Sequence, residues 1–112
     1  MKLRGSLTER QERESLKLSN AYLRDGIHRV SEVLKTHGVD PAKVYVLHHT
    51  PDQGVHYFLI LTASDKLLRL EIPDEKRELP TVQSIALAEY RPRGRPARIR
   101  LAIALDLMKE NG

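Results

Sequence analysis

The chain has no cysteine and no tryptophan, and its 112 residues include only four tyrosines and one phenylalanine. Without cysteine, disulfides, thiol chemistry and thiolate-bound metals are excluded. Single-strand stacking platforms need aromatic and basic residues side by side. Of Tyr22, Tyr45, Tyr57, Phe58 and Tyr90, only Tyr90 directly adjoins a basic stretch, where it can stack on a base or cap the core. No wholly apolar run exceeds the five residues of Tyr57 to Leu61, far short of a membrane span. The opening Met1-Lys2-Leu3-Arg4-Gly5-Ser6 is charged rather than apolar and does not read as a secretory signal. These absences set the expectation of a cytoplasmic protein with no membrane partner. There is also no His-Glu-x-x-His pair, no phosphate-cradling glycine loop and no nucleophile elbow. The expectation is therefore a protein that is not an enzyme and carries no cofactor and no metal.

What is present is a soluble, one-domain composition, 40% apolar and 30% charged. The charge is unevenly spread. Arg91-Pro92-Arg93-Gly94-Arg95-Pro96-Ala97-Arg98-Ile99-Arg100 holds five of the twelve arginines and no acid. The whole chain carries +4, so the residues outside this window sum to −1. Two prolines fix φ and bias the residues before them towards extended backbone. Gly94 between them leaves room for close approach. Planar, weakly hydrated guanidinium groups suit phosphate and a narrow groove.

Pro92-Arg93-Gly94-Arg95-Pro96 resembles the core of an AT-hook, the short minor-groove binder of A·T-rich DNA. The resemblance implies that Arg93 and Arg95 lie along the groove floor, that Gly94 permits close approach, and that Arg91 and Arg98 meet phosphates. It covers five residues strictly and about ten generously. AT-hooks usually occupy disordered tails in several copies, whereas this single copy lies between two apolar segments that read as ordered. The candidate nucleic-acid-binding set is Arg91, Arg93, Gly94, Arg95, Arg98 and Arg100.

Taken in order, residues 6–37 read as one long helix. Ser6-Leu7-Thr8-Glu9 fits a capping box, and the almost wholly polar stretch from Thr8 to Glu14 reads as projecting beyond the core. Leu16, Leu23, Ile27, Val30 and Leu34 then fall at heptad spacing, with Asn20 at the missing seam position. That stripe either lies on the protein's own sheet, the reading its length favours, or pairs across a homodimer through the N-terminal helix. Gly38 supplies the stop and Asp40-Pro41 the following turn.

Residues 43–90 read as an antiparallel meander of three to four strands. Lys43 to His49 and Val55 to Thr62 are joined by the turn residues Pro51 to Gly54, and Leu67 to Ile72 alternates cleanly. The second strand is apolar on both faces and so belongs in the centre. Thr81 to Tyr90 fits a fourth strand or a short helix. Residues 91–97 read as a basic loop. Residues 98–110 alternate like a strand, yet their alanine, leucine, methionine, lysine and glutamate favour helix, which is the reading adopted.

A four-residue loop from Pro51 to Gly54 sets His49 opposite His56, with His48 on the other face. Two imidazoles alone make a poor metal site, and Asp52, His28 and His37 stand at no recognisable ligand spacing. Glu71, Asp74 and Glu75 beside Lys76 have the residue types of a nuclease metal site but run into a proline-bounded loop.

The sequence thus predicts an α+β domain, residues 1–112: a long N-terminal helix, the antiparallel meander and a C-terminal helix, with helices on one face of the sheet. Two functions fit. One is a small non-enzymatic DNA-binding or DNA-associated accessory protein acting on A·T-rich duplex. The other is an inhibitor or adaptor whose basic loop docks on an acidic protein surface.

Overall fold

The structure, a computed structural model, describes residues 7–24, 29–62, 66–75 and 77–111. Three helices, α1 (Leu7–Arg24), α2 (Val30–Thr36) and α3 (Gly94–Asn111), pack on four strands. The strands are β1 (Tyr45–Asp52), β2 (Val55–Leu61), β3 (Lys66–Pro73) and β4 (Thr81–Ala86). They form one antiparallel sheet in the order β1-β2-β3-β4, so the α+β layout is as predicted and the meander of three to four strands has four. The undecided stretch Thr81 to Tyr90 is a strand followed by a single 3-10 turn, Leu87–Glu89.

The N-terminal helix departs from the reading of one element over 6–37. α1 is described over Leu7–Arg24, and α2 begins only after Arg29, whose φ of +61° is left-handed and breaks any continuous α-helix. A non-glycine residue there costs about 1 kcal/mol or more. Arg29 is held by its guanidinium, which donates to the Pro73 carbonyl at 2.6 Å and sits 3.5 Å from that of Glu78. The break moves the helical chain from one face of the sheet to the other. Val30, Val33 and Leu34 of α2 pack with Val46, Phe58, Ile60, Leu68, Leu70 and Ile72. Leu16 of α1 and Ile99, Ile103, Ala104 and Leu107 of α3 pack with Tyr45, Leu47, Leu59, Leu61 and Leu67 on the opposite face.

Helices therefore cover both faces, correcting the one-face expectation, and the sheet is the middle layer of three. The physical reason is in β2, where Phe58, Leu59, Ile60 and Leu61 are all buried and successive side chains point to opposite faces. One helical layer leaves half of them in water. α2 ends as anticipated. Gly38, at φ +73°, donates to Lys35 O, and Val39 N donates to Leu34 O at 2.9 Å, the paired bonds of a Schellman stop. The Asp40 carboxylate then accepts from Ala42 N at 2.9 Å.

The polar start of α1 does not project beyond the core. Arg13 bonds Asp106 at 2.5 Å, and Glu12 accepts from Arg100 at 2.7 Å, so charged pairs bind α1 to α3. Hydrogen bonding to Asp106 raises the Arg13 pKa further above its ordinary value. Leu16 is fully buried in this chain's own core, so that point of the heptad stripe is spent inside one molecule. Ser6, Gly26 and Ile27, and the side chains of Asn20 and Leu23, lie outside the described residues.

The first hairpin is also tighter than predicted. β1 runs through Pro51 and Asp52, leaving a two-residue turn of Gln53 (φ +48°) and Gly54 (φ +81°). Two left-handed residues give the primed turn whose twist matches the flanking strands. Pro51 is tolerated because β1 is an edge strand. A bulge between Val46 and His48 inserts Leu47 and shifts which later residues face α2.

Candidate nucleic-acid interface

α3 buries Ile99, Ile103, Ala104 and Leu107 on the sheet, at helical rather than strand spacing, which decides the ambiguity of residues 98–110. The helix also reaches further back than predicted. It starts at Gly94, so Arg95, Pro96 and Ala97 form its first turn instead of belonging to a loop over 91–97. Pro96 suits this place because first-turn amides have no helical acceptor to lose. Gly94 takes φ +82°, a value only glycine adopts readily, as the chain turns into the helix. Only residues 91–93 remain irregular, so the AT-hook-like segment is not one extended strip.

The arginines divide into two kinds. Arg93, Arg95 and Arg98 are exposed, and no hydrogen bond or ion pair to a described residue holds their guanidinium groups. Arg91 is exposed and folds back onto the Ala88 and Tyr90 carbonyls at 2.7 and 3.2 Å. Arg100 is different, with a side chain only 17% exposed. It donates from Nε to Leu47 O and from Nη2 to Val46 O, both at 2.8 Å. Its Nη1 donates to Glu12 at 2.7 Å and to Ser15 at 3.1 Å. Arg100 is thus spent inside the fold, satisfying the carbonyls at the β1 bulge, and leaves the candidate surface. Nothing in the sequence separated it from Arg98, because the distinction is its angular position on α3.

The remaining cluster stands where a cation is least favourable. The N-terminus of an α-helix carries a partial positive charge, and cations nearby cost a few tenths of a kcal/mol each. The first turn of α3 has no acid to offset this. Exposed amides, the helix dipole and the arginines all favour an anion at this one place. Tyr90, beside it, is half-buried and packs on the α1–α3 core, so it caps the core. Burial raises its hydroxyl pKa above the ordinary tyrosine value, and nearby Arg69 partly offsets this.

The histidines meet, though in a different register. His49 pairs with Phe58 and Pro51 with His56, two residues from the predicted alignment, so both imidazoles keep the same face. His49 Nε2 lies 2.8 Å from His56 Nδ1, and His49 stacks on Phe58 with ring centroids 4.3 Å apart. His56 Nε2 lies 2.8 Å from Asp74 Oδ1. An ionised carboxylate only accepts, so His56 donates to Asp74 from Nε2, and its Nδ1 shares a hydrogen bond with His49 Nε2. Both facing nitrogens are then engaged with each other, and Asp74 sits on the far nitrogen. His37 Nδ1 is turned to Val33 O, and His28 lies outside the described residues. Among the described residues no three metal-ligating side chains converge. The acids of the suspected nuclease cluster separate as well. Glu71 receives Thr81 Oγ1 at 3.2 Å, while Asp74 joins His56.

No family model, no curated protein and no solved structure matches this chain. Any functional reading therefore rests on the chemistry of the residues themselves.

Proposed function

We propose that the protein is a small DNA-binding or DNA-associated accessory protein, acting in the cytoplasm without catalysis. Its contact surface is Arg91, Arg93, Gly94, Arg95 and Arg98 at the start of α3. The observation that carries this reading is a group of exposed arginines at the positive end of a helix. That placement works against folding and is relieved by a polyanion, and local rules tend to be broken where a site needs it. Arg95 and Arg98, fixed on the first two turns, are placed for phosphates. Arg93, outside the helix, is the residue for the minor groove, where A·T-rich tracts concentrate negative potential.

The test is a fluorescence-anisotropy titration on A·T-rich and G·C-rich duplexes across a salt series. With about three phosphates neutralised, by Arg91, Arg95 and Arg98, the log–log salt slope is expected near −2.7, and Arg98→Ala flattens it by about 0.9. Arg93→Ala removes most of any A·T preference, while Arg98→Ala weakens binding to all duplexes alike. Absence of binding to either duplex at low salt sinks the proposal. The surface would then be the docking patch for an acidic protein.

A further inference from the structure

The two edges of the sheet are treated very differently. The β1 edge is protected by the Leu47 bulge, by Pro51, and by Arg100, which occupies the carbonyls of Val46 and Leu47. These are the devices by which edge strands avoid pairing with other chains. β4, at the other edge, has none of them. Its six residues Thr81-Val82-Gln83-Ser84-Ile85-Ala86 include no charge and no proline, and its pairing with β3 is regular. Among the described residues nothing pairs with its outer backbone groups. Just before it stands Leu79, 86% exposed.

We propose that β4 pairs antiparallel with β4 of a second copy of this chain, joining two sheets into one of eight strands. The charges flanking β4 select both the partner and the direction. Exposed Glu75, Arg77 and Glu78 precede the strand, and exposed Glu89, Arg91 and Arg93 follow it. With Gln83 on the axis, antiparallel self-pairing sets Glu75 of one copy towards Arg91 of the other, and Arg77 towards Glu89, whereas a Ser84 axis sets Arg77 towards Arg91. Parallel pairing puts like charges together. The uncharged strand itself offers no repulsion across the axis, where Gln83 meets its own copy. Leu79 of each copy gains cover near Ile85 and Leu87 of the other. One strand edge and one leucine make a small interface, so the dimer is weak and concentration-dependent. It shares Arg91 with the proposed DNA surface but is read by mass rather than by duplex binding, so either reading can fail alone.

Light scattering behind size exclusion tests it from about 1 to 200 µM. The expected mass rises from 12.8 kDa towards twice that value. Gln83→Lys/Ser84→Lys sets like charges opposite each other and is expected to weaken association at least tenfold with unchanged circular dichroism. The absence of native cysteine gives a second measurement that does not rely on that variant folding. On oxidation, Gln83→Cys forms a disulfide dimer, whereas Thr50→Cys on β1 stays monomeric. A wild-type monomer throughout the range, a dimer that survives in the folded double-lysine variant, or failure of Gln83→Cys to cross-link overturns the proposal.

Discussion

Replacing Arg100 by alanine separates structural from exposed arginines most sharply. The substitution removes four hydrogen bonds and strands two β1 carbonyls at a bulge that must stay regular enough for β1 to pair. A hydrogen bond involving a charged partner contributes about 1.5–3 kcal/mol when well buried, and an exposed ion pair about 1 kcal/mol or less. Arg100 lies between these limits, and water reaches part of the freed surface. The loss is therefore set at about 3 kcal/mol, a fall in Tm of roughly 15 °C for a domain of this size. Arg98→Ala is the matched control. It removes a cation from the positive end of α3 and is expected to change stability by less than about 0.5 kcal/mol, in the stabilising direction. Urea denaturation with an unchanged m-value reads both effects. If Arg100→Ala costs under about 1 kcal/mol, or if both variants lose equally, the division of the arginines is wrong.

Gly54→Ala tests the hairpin. Nothing lies within 4 Å of the added methyl, so the whole effect is backbone strain at φ +81°, about 1 kcal/mol of destabilisation by urea denaturation. Tyr90 gives a pH dependence. Its pKa is raised in the folded protein, so its contribution is fully present below the ordinary tyrosine value of about 10 and is lost as pH rises through the folded pKa. Stability should therefore decline more steeply above pH 10 in the wild type than in Tyr90→Phe, and equal slopes would contradict that assignment.

Much of the architecture was legible in one dimension. Strand alternation in Leu67 to Ile72, the glycine stop at Gly38 and the doubly apolar β2 specify an antiparallel sheet with β2 inside it. These signals are local, since each depends only on side-chain period or on the φ that one residue allows. His49 and His56 could be placed on one face without knowing the turn, because a register error of two residues preserves facing. The concentration of arginine before and into α3 was likewise visible as composition alone.

The rest was decided by tertiary contacts. The heptad-like stripe of 6–37 reads as one helix until a sheet with two apolar faces has to be covered. Arg29 then takes a left-handed conformation, and its cost is offset by contacts to carbonyls more than forty residues away. Residues 98–110 carry a strand's alternation and a helix's composition, and burial of Ile99, Ile103 and Leu107 on the sheet chooses the helix. That choice fixes the fate of each arginine. Arg98 and Arg100 are two residues apart in one basic run, yet two residues turn a helix by about 200°. One guanidinium therefore faces solvent, while the other reaches the bulge in β1, a strand whose position the sequence of α3 does not encode.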